Sequence, residues 1–278
     1  CIFNRLGTDV TLVEMMPQLL PREEEEIASF LKYLLEEDSV KVLTNARVTK
    51  IEEKNGEAAM VVATSEGEKT VTVEAILLAV GRVPKTRGLG LDDIRIDDMG
   101  RVVVDERMQT NVPGIYAIGD VVGKFMLAHV ASAEAIVAAE NVMGADAKID
   151  YGAVPRCVYS FPEVASVGLT EKQAIETGHQ TAVGRFSFSD NSRALTVSED
   201  RGGIKVIVDA RSGEILGIHM IGPQVSEMIH EAVLAIKLEA TVTNVADMIC
   251  AHPTLSEALK EAALDAAGRS IHKVRRKT

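Results

Sequence analysis

Apolar positions along this chain change their period several times, and the changes mark out its elements. Ile2-Phe3-Asn4-Arg5-Leu6-Gly7 reads as the closing turns of a helix stopped by glycine. Residues 8–14 (TDVTLVE) are β-branched and alternate, which predicts a short strand ending on an acid. Between 22 and 37, Ile27, Phe30, Leu31, Leu34 and Leu35 recur at helical spacing, so one face of that helix is buried. The acidic run 23–26 suits the positive end of the helix dipole and reads as a solvated start. Residues 40–43 predict another parallel strand. Segments 48–53, 58–64 and 69–73 then alternate as a meander, with hairpin signals at Asn55-Gly56 and Glu66-Gly67. The apolar run 75–80 predicts a buried strand.

The middle of the chain is turn-rich, with short strands predicted at 94–96 and 102–104. Residues 110–120 (TNVPGIYAIGD) predict a buried strand ending in Gly-Asp, and a long helix follows over about 126–143. Beyond 155, segments 157–159, 164–167, 181–187, 204–209 and 215–221 alternate like an antiparallel sheet. Helices are predicted at 171–177, 226–239, 242–248 and 256–267. The fold class is therefore a partial, Rossmann-like α/β nucleotide-binding domain followed by an α+β domain with its helices set to one side.

Composition narrows the function. The chain has 278 residues, 46% of them hydrophobic, and a formal net charge of -11, which argues against a nucleic-acid surface. No apolar run has membrane-spanning length, and no signal-peptide pattern opens the chain. Cys1, Cys157 and Cys250 are far apart and form no C-x-x-C pair, giving no zinc or disulfide framework and favouring a cytoplasmic setting. The basic residues 272–277 read as a frayed, solvated terminus.

Helix, glycine, strand and terminal acid in that order match the second half of a βαβ dinucleotide unit, whose acid binds the adenosine ribose about 20 residues after a glycine fingerprint. Glu14 is that acid. Its fingerprint would precede residue 1, so the front of a larger protein is expected to be missing. No arginine follows Glu14 to hold a 2′-phosphate, which favours NAD over NADP. A strand-end glutamate that faces solvent would look the same. Near the other end, residues 251–257 (AHPTLSE) place His252 on extended backbone before Pro253, with Glu257 in the first turn of the next helix. A carboxylate that fixes a histidine's tautomer can make a general base. Thr254-x-x-Glu257 is equally a capping box.

Taken together, six segments resemble the flavin-dependent pyridine nucleotide–disulfide oxidoreductases: LGTDVTLVE, AVGRVP, TNVPGIYAIGDVVGKFMLAH, YSFPEVASVGLTE, GIHMIGP and AHPTLSEAL. They span nearly the whole chain, and MLAH with HPT points to the lipoamide branch. The resemblance implies FAD and NAD as cofactors and no metal. Glu14 would bind the NAD ribose, with Val48 near the adenine and Gly81 giving backbone contact. Asp120 would bind the flavin ribityl chain, and Met126, Leu127, Ala128 and His129 would line the flavin ring. His252, held by Glu257, would take the proton from a dihydrolipoamide thiol. Domains would run 1–82 (partial NAD-binding), 83–151 (completing the flavin-binding region) and 152–278 (dimerisation). Implied partners are a second copy through the C-terminal domain and the lipoyl domain of a 2-oxoacid dehydrogenase-type complex. The family's redox C-x₄-C is absent here, and none of the three cysteines replaces it. Two alternatives stay open: another disulfide reductase of the same family, or a non-catalytic dimerisation module.

Overall fold

In the computed structural model, which describes residues 1–54 and 56–273, the glycine-stopped opening is a one-turn helix, α1 (Ile2–Arg5), closed by Gly7 at φ +94°. Strand β1 (Thr11–Val13) pairs in parallel with β2 (Lys41–Leu43), and α2 (Glu25–Glu37) connects them. The helix starts three residues later than its periodicity predicts, because Glu23 and Glu24 remain outside it and reach for cations. A three-stranded antiparallel meander follows: β3 (Arg47–Lys54), β4 (Glu57–Thr64) and β5 (Gly67–Val73). Its second turn is the expected one, with Gly67 at φ +115°. Of the first, Asn55 lies outside the described residues.

Residues 75–80 are not the buried strand their composition predicts. They have no strand pairing, and Leu77, Leu78 and Val80 are 77%, 69% and 93% exposed. An apolar run becomes a strand only where neighbouring backbone accepts its hydrogen bonds, and no described residue does so here.

Two compact units form, one from Cys1–Ile76 with Gly152–Thr278 and one from Leu77–Tyr151. Within the Leu77–Tyr151 unit, the two short strands reduce to a single bridge, Ile96 to Val102. The expected strand before Gly119-Asp120 is likewise one bridge, Gln109 to Tyr116, and Ile115 and Ile118 are exposed rather than buried. Gly114 and Gly119 both have positive φ, so left-handed backbone brackets a stretch too short to extend a ladder. Helix α3 (Ala128–Val142) packs Val137 and Ala138 on Met108.

The other unit holds a five-stranded antiparallel sheet. Its strands are β6 (Arg156–Val158), β7 (Glu163–Gly168), β8 (Thr181–Ser187), β9 (Gly203–Asp209) and β10 (Ile215–Gly222), in the order β6-β7-β10-β9-β8. Short helices α4 (Glu171–Glu176) and α5 (Ser192–Thr196) interrupt them; α5 lies in a stretch for which no element is predicted above, where the Asn191 side chain accepts from the Ala194 N–H. Helices α6 (Val225–Lys237), α7 (Val242–Ala246) and α8 (Glu257–Ala266) complete the unit.

Alternation along the strands gives this sheet two different faces. Ala165, Val167, Ile204, Val206, Ile218 and Met220 bury one face with Ile229, Ala232, Leu259 and Ala262 of the C-terminal helices. Each such Ile or Leu contributes roughly 1.5–3 kcal/mol. Helix α8 lies so close to β8 that a Cβ on Gly184 would stand 1.9 Å from the Ala262 carbonyl oxygen. The other face is covered from the N-terminal segment, where Leu31, Leu34 and Leu35 of α2 cluster with Val164 and Ile221. Helices therefore cover both faces. Beyond α8, the tail is tied down at its described end: His272 pairs with Glu261 at 2.7 Å and Lys273 with Asp265 at 2.6 Å. The expected fraying over 274–277 concerns residues outside those described.

Candidate active site

His252 and Glu257 meet. The His252 Nδ1 lies 2.9 Å from Glu257 Oε1, while Glu257 Oε2 accepts the Thr254 N–H at 2.8 Å. Burial acts to raise the Glu257 pKa, but the Thr254 N–H, the His252 hydrogen bond and the charges of His252 and His272 outweigh it and hold the carboxyl below its ordinary value. An ionised Glu257 can only accept, so the ring proton sits on Nδ1 and the Nε2 lone pair is left as the basic site. The His252 side chain is 68% exposed, against 25% for Glu257. The base faces outward with its counter-charge behind it.

The loop carrying His252 is pinned on both sides. The Asn191 side chain donates to the Thr254 carbonyl at 3.0 Å, and Ser256 donates to Glu231 at 2.6 Å. The expected capping box is only half formed. Glu257 takes the Thr254 N–H, but the Thr254 hydroxyl turns back to the Ala251 carbonyl at 2.8 Å, and Ser256 is the N-cap residue. The hydroxyl thus braces the histidine loop rather than the helix.

Glu14 ends β1 with its backbone held by Leu43 and Ala46. Its Oε1 accepts the Met16 N–H at 2.8 Å. Val48, at the start of β3, is 38% exposed and registered with Val62.

In the Leu77–Tyr151 unit, Gly81 has φ +116° and open space where a Cβ would stand. The next residue, Arg82, forms an ion pair with Asp120, a pairing that nothing in residue order predicts. Asp120 sits in a single 3₁₀ turn (Gly119–Val121). Met126 has φ +54°, Leu127 is the extended residue before α3, and Ala128 and His129 begin that helix. This chain's part of the site fits a flavin: the half-exposed Asp120 carboxylate suits polyol hydroxyls, and the N-terminus of a fifteen-residue helix, with its positive end and first-turn N–H groups, would suit an electron-rich ring.

The acidic run 23–26 is only partly solvated: Glu25 and Glu26 are exposed, but the other two are not. Glu24 is 5% exposed, and Lys205 Nζ lies 2.8, 2.6 and 2.7 Å from Glu24, Glu26 and Glu171. Those three carboxylates are close enough together to hold a metal ion, but the ammonium fills their centre. Glu23 pairs with Arg156 at 2.9 Å. Burying a charge is tolerable only with such partners, and the partners lie too far along the chain for a local reading to find. His219 is fully buried nearby on the same sheet face, its Nε2 against the Leu169 carbonyl at 2.9 Å, and burial lowers its pKa. It stays neutral and structural.

The chain belongs to the pyridine nucleotide-disulphide oxidoreductases: that family's profile matches residues 1–135, and the profile of its dimerisation domain matches 154–263. FAD and NAD(H) are the cofactors of this family. The dihydrolipoyl dehydrogenase of Thermus scotoductus is 43% identical over 275 residues, covering 98% of this chain and 59% of its own length. That of Rhizobium etli is 44% identical over 274 residues, covering 97% and 57%. The chain thus spans little more than half the length of these relatives. Among solved structures, LpdA from Mycobacterium tuberculosis aligns with a TM-score of 0.85 at 28% identity, covering 94% of this chain and 57% of that one. The HOCl-induced flavoprotein disulfide reductase RclA from Escherichia coli aligns with the same score and identity, covering 94% and 60%. No helix among the described residues is long and apolar enough to cross a membrane.

Proposed function

We propose that this chain is part of a dihydrolipoamide dehydrogenase, which oxidises the two thiols of dihydrolipoamide to the lipoamide disulfide while NAD⁺ becomes NADH and a proton is released. The observation that carries the reading is the outward-facing His252 backed by Glu257 at 2.9 Å. Bound flavin and nicotinamide supply the electron and hydride chemistry. This chain supplies the proton handling: His252 Nε2 takes the thiol proton, and the Glu257 carboxylate stabilises the imidazolium that forms. Asp120 and Met126–His129 bind the flavin; Glu14, Val48 and Gly81 bind the dinucleotide.

On this reading residues 1–82 serve NAD, 83–151 the flavin and 152–278 dimerisation, and the second copy brings His252 to the disulfide it serves. A lipoyl domain is the substrate carrier, and the cytoplasm the compartment. The dimerisation-domain match over 154–263 supports the second copy, and the names of the relatives support the lipoyl substrate.

The test uses the chain continued to its relatives' full length and loaded with FAD, here called the full-length protein. His252→Gln should lower dihydrolipoamide turnover by about 10²–10⁴-fold while the flavin spectrum is kept. Unchanged turnover would overturn the assignment of the base. A preference for glutathione or another disulfide over lipoamide would overturn the substrate.

A further inference from the structure

One buried acid in α3 has no part in the chemistry above. Glu134 is 2% exposed, yet it lies in the helix that begins at the flavin segment. Its Oε2 accepts the Gly119 N–H at 2.6 Å, and its Oε1 accepts the Tyr151 hydroxyl at 2.7 Å. Gly119 is the residue before Asp120. It has φ +73°, and a Cβ there would stand 3.3 Å from the Ala131 Cβ, so the turn is both left-handed and pressed against the helix.

Tyr151 reaches the other end of the same segment. Its ring stacks on Phe125 at 5.3 Å between centroids, and Lys124 Nζ lies 3.9 Å from the ring centre. The next residue is Met126, held at φ +54°. Burial first, then the hydrogen bond and charge of Glu134, raise the Tyr151 pKa, so the phenol keeps the proton it donates. Two side chains joined by one hydrogen bond thus grip the loop beside Asp120 and beside Met126.

We infer that Glu134 and Tyr151 are positioning residues for the flavin: together they set the spacing between the carboxylate that receives the ribityl chain and the backbone that receives the ring. This rests on the flavin reading of Asp120 and Met126. A buried carboxylate is suited to the work because it accepts from two donors at once, and such charge-assisted bonds are the stronger kind. On this inference neither residue needs to touch the flavin itself. Their effect is on how tightly and in what geometry it is held.

The full-length protein tests this by three readouts: FAD affinity after dialysis, visible circular dichroism of the bound flavin, and the melting of the flavin-free protein. Glu134→Ala should weaken FAD binding by roughly tenfold or more and change the flavin dichroism. Glu134→Gln should restore most of the affinity. Its amide oxygen can still accept from Gly119, and its amide nitrogen can donate to the tyrosine oxygen. Tyr151→Phe keeps the ring stack and loses the hydroxyl, so a smaller weakening is expected.

Unchanged FAD affinity in Glu134→Ala would overturn the inference. An equal loss in Ala and Gln variants, matched by an equal fall in the melting of the flavin-free protein, would also overturn it and leave Glu134 a fold residue only. If Glu134→Ala does not fold, Tyr151→Phe decides, and unchanged affinity and dichroism there would overturn the inference. Asp120→Ala separates the two levels. Unchanged FAD affinity in that variant refutes the flavin reading of the turn, whereas weakened binding there with unchanged binding in Glu134→Ala refutes only the anchoring role.

Discussion

The Lys205 ammonium of β9 stands 2.8 Å from the Glu24 carboxylate at the start of α2, and both side chains are almost completely withdrawn from solvent, 3% and 6% exposed. The contact joins the first segment of the chain to the sheet of the last. Removing one partner strands the others, which costs far more than a surface ion pair. Lys205→Ala should destabilise this unit by about 3–5 kcal/mol, read as a lowered midpoint in urea unfolding with little change in slope. A loss under about 1 kcal/mol would show the network to be dispensable.

Acid should loosen the same junction. The Arg185 hydrogen bond is the largest influence on Glu26; with Lys205 it overcomes the opposing effect of burial and holds that carboxyl at about 2, against an ordinary value of 4.5. Glu24 is also lowered, by Lys205 and the Glu171 N–H acting against burial. A depressed folded pKa gives stability that is present above the unfolded value and lost as pH falls through the folded one. Melting temperature should therefore be flat above pH 5 and fall between about pH 4.5 and 2, and Lys205→Met should flatten that fall. An unaltered profile in the variant would assign the acid sensitivity elsewhere.

At the histidine loop, Glu257→Gln keeps an oxygen to accept from Nδ1 but removes the counter-charge. Turnover of dihydrolipoamide by the full-length protein should fall by about 10-fold or more, less than in His252→Gln, with substrate KM little changed. A matching rise in KM with constant kcat would mean that the residue only shapes the loop.

Glu14 gives one carboxylate oxygen to the Met16 N–H, and on the proposed reading the other takes a ribose hydroxyl. Glu14→Gln should raise KM for NAD and narrow the preference over NADP, since the repulsion of a 2′-phosphate goes with the charge. Steady-state kinetics with both cofactors measures it, and unchanged ratios would remove Glu14 from the specificity argument.

How far these features could be read from residue order depends on where their partners lie. Strands 204–209 and 215–221 alternate clearly, and both are found, because period and burial are local properties. His252 and Glu257 are five residues apart, so their meeting could be anticipated. The run 75–80 failed for the opposite reason: apolar composition does not supply a neighbouring strand. The solvated reading of Glu23–Glu26 failed in part, at Glu23 and Glu24, since an acid run looks solvated until Arg156 and Lys205 are known to face it. Glu134 gave no signal at all, because a glutamate nearly two turns into an alanine-rich helix is ordinary until Gly119 and Tyr151 arrive.

The distance between Glu24 and Lys205 also has a consequence for synthesis. The two are 181 residues apart. At a ribosomal rate of about 5–20 residues per second, helix α2 emerges roughly ten to forty seconds before the lysine that neutralises it. Throughout that interval its acid end must stay wet, and the part of its leucine face that Ile221 covers stays open, so this helix is only partly packed until the sheet of the last segment is made.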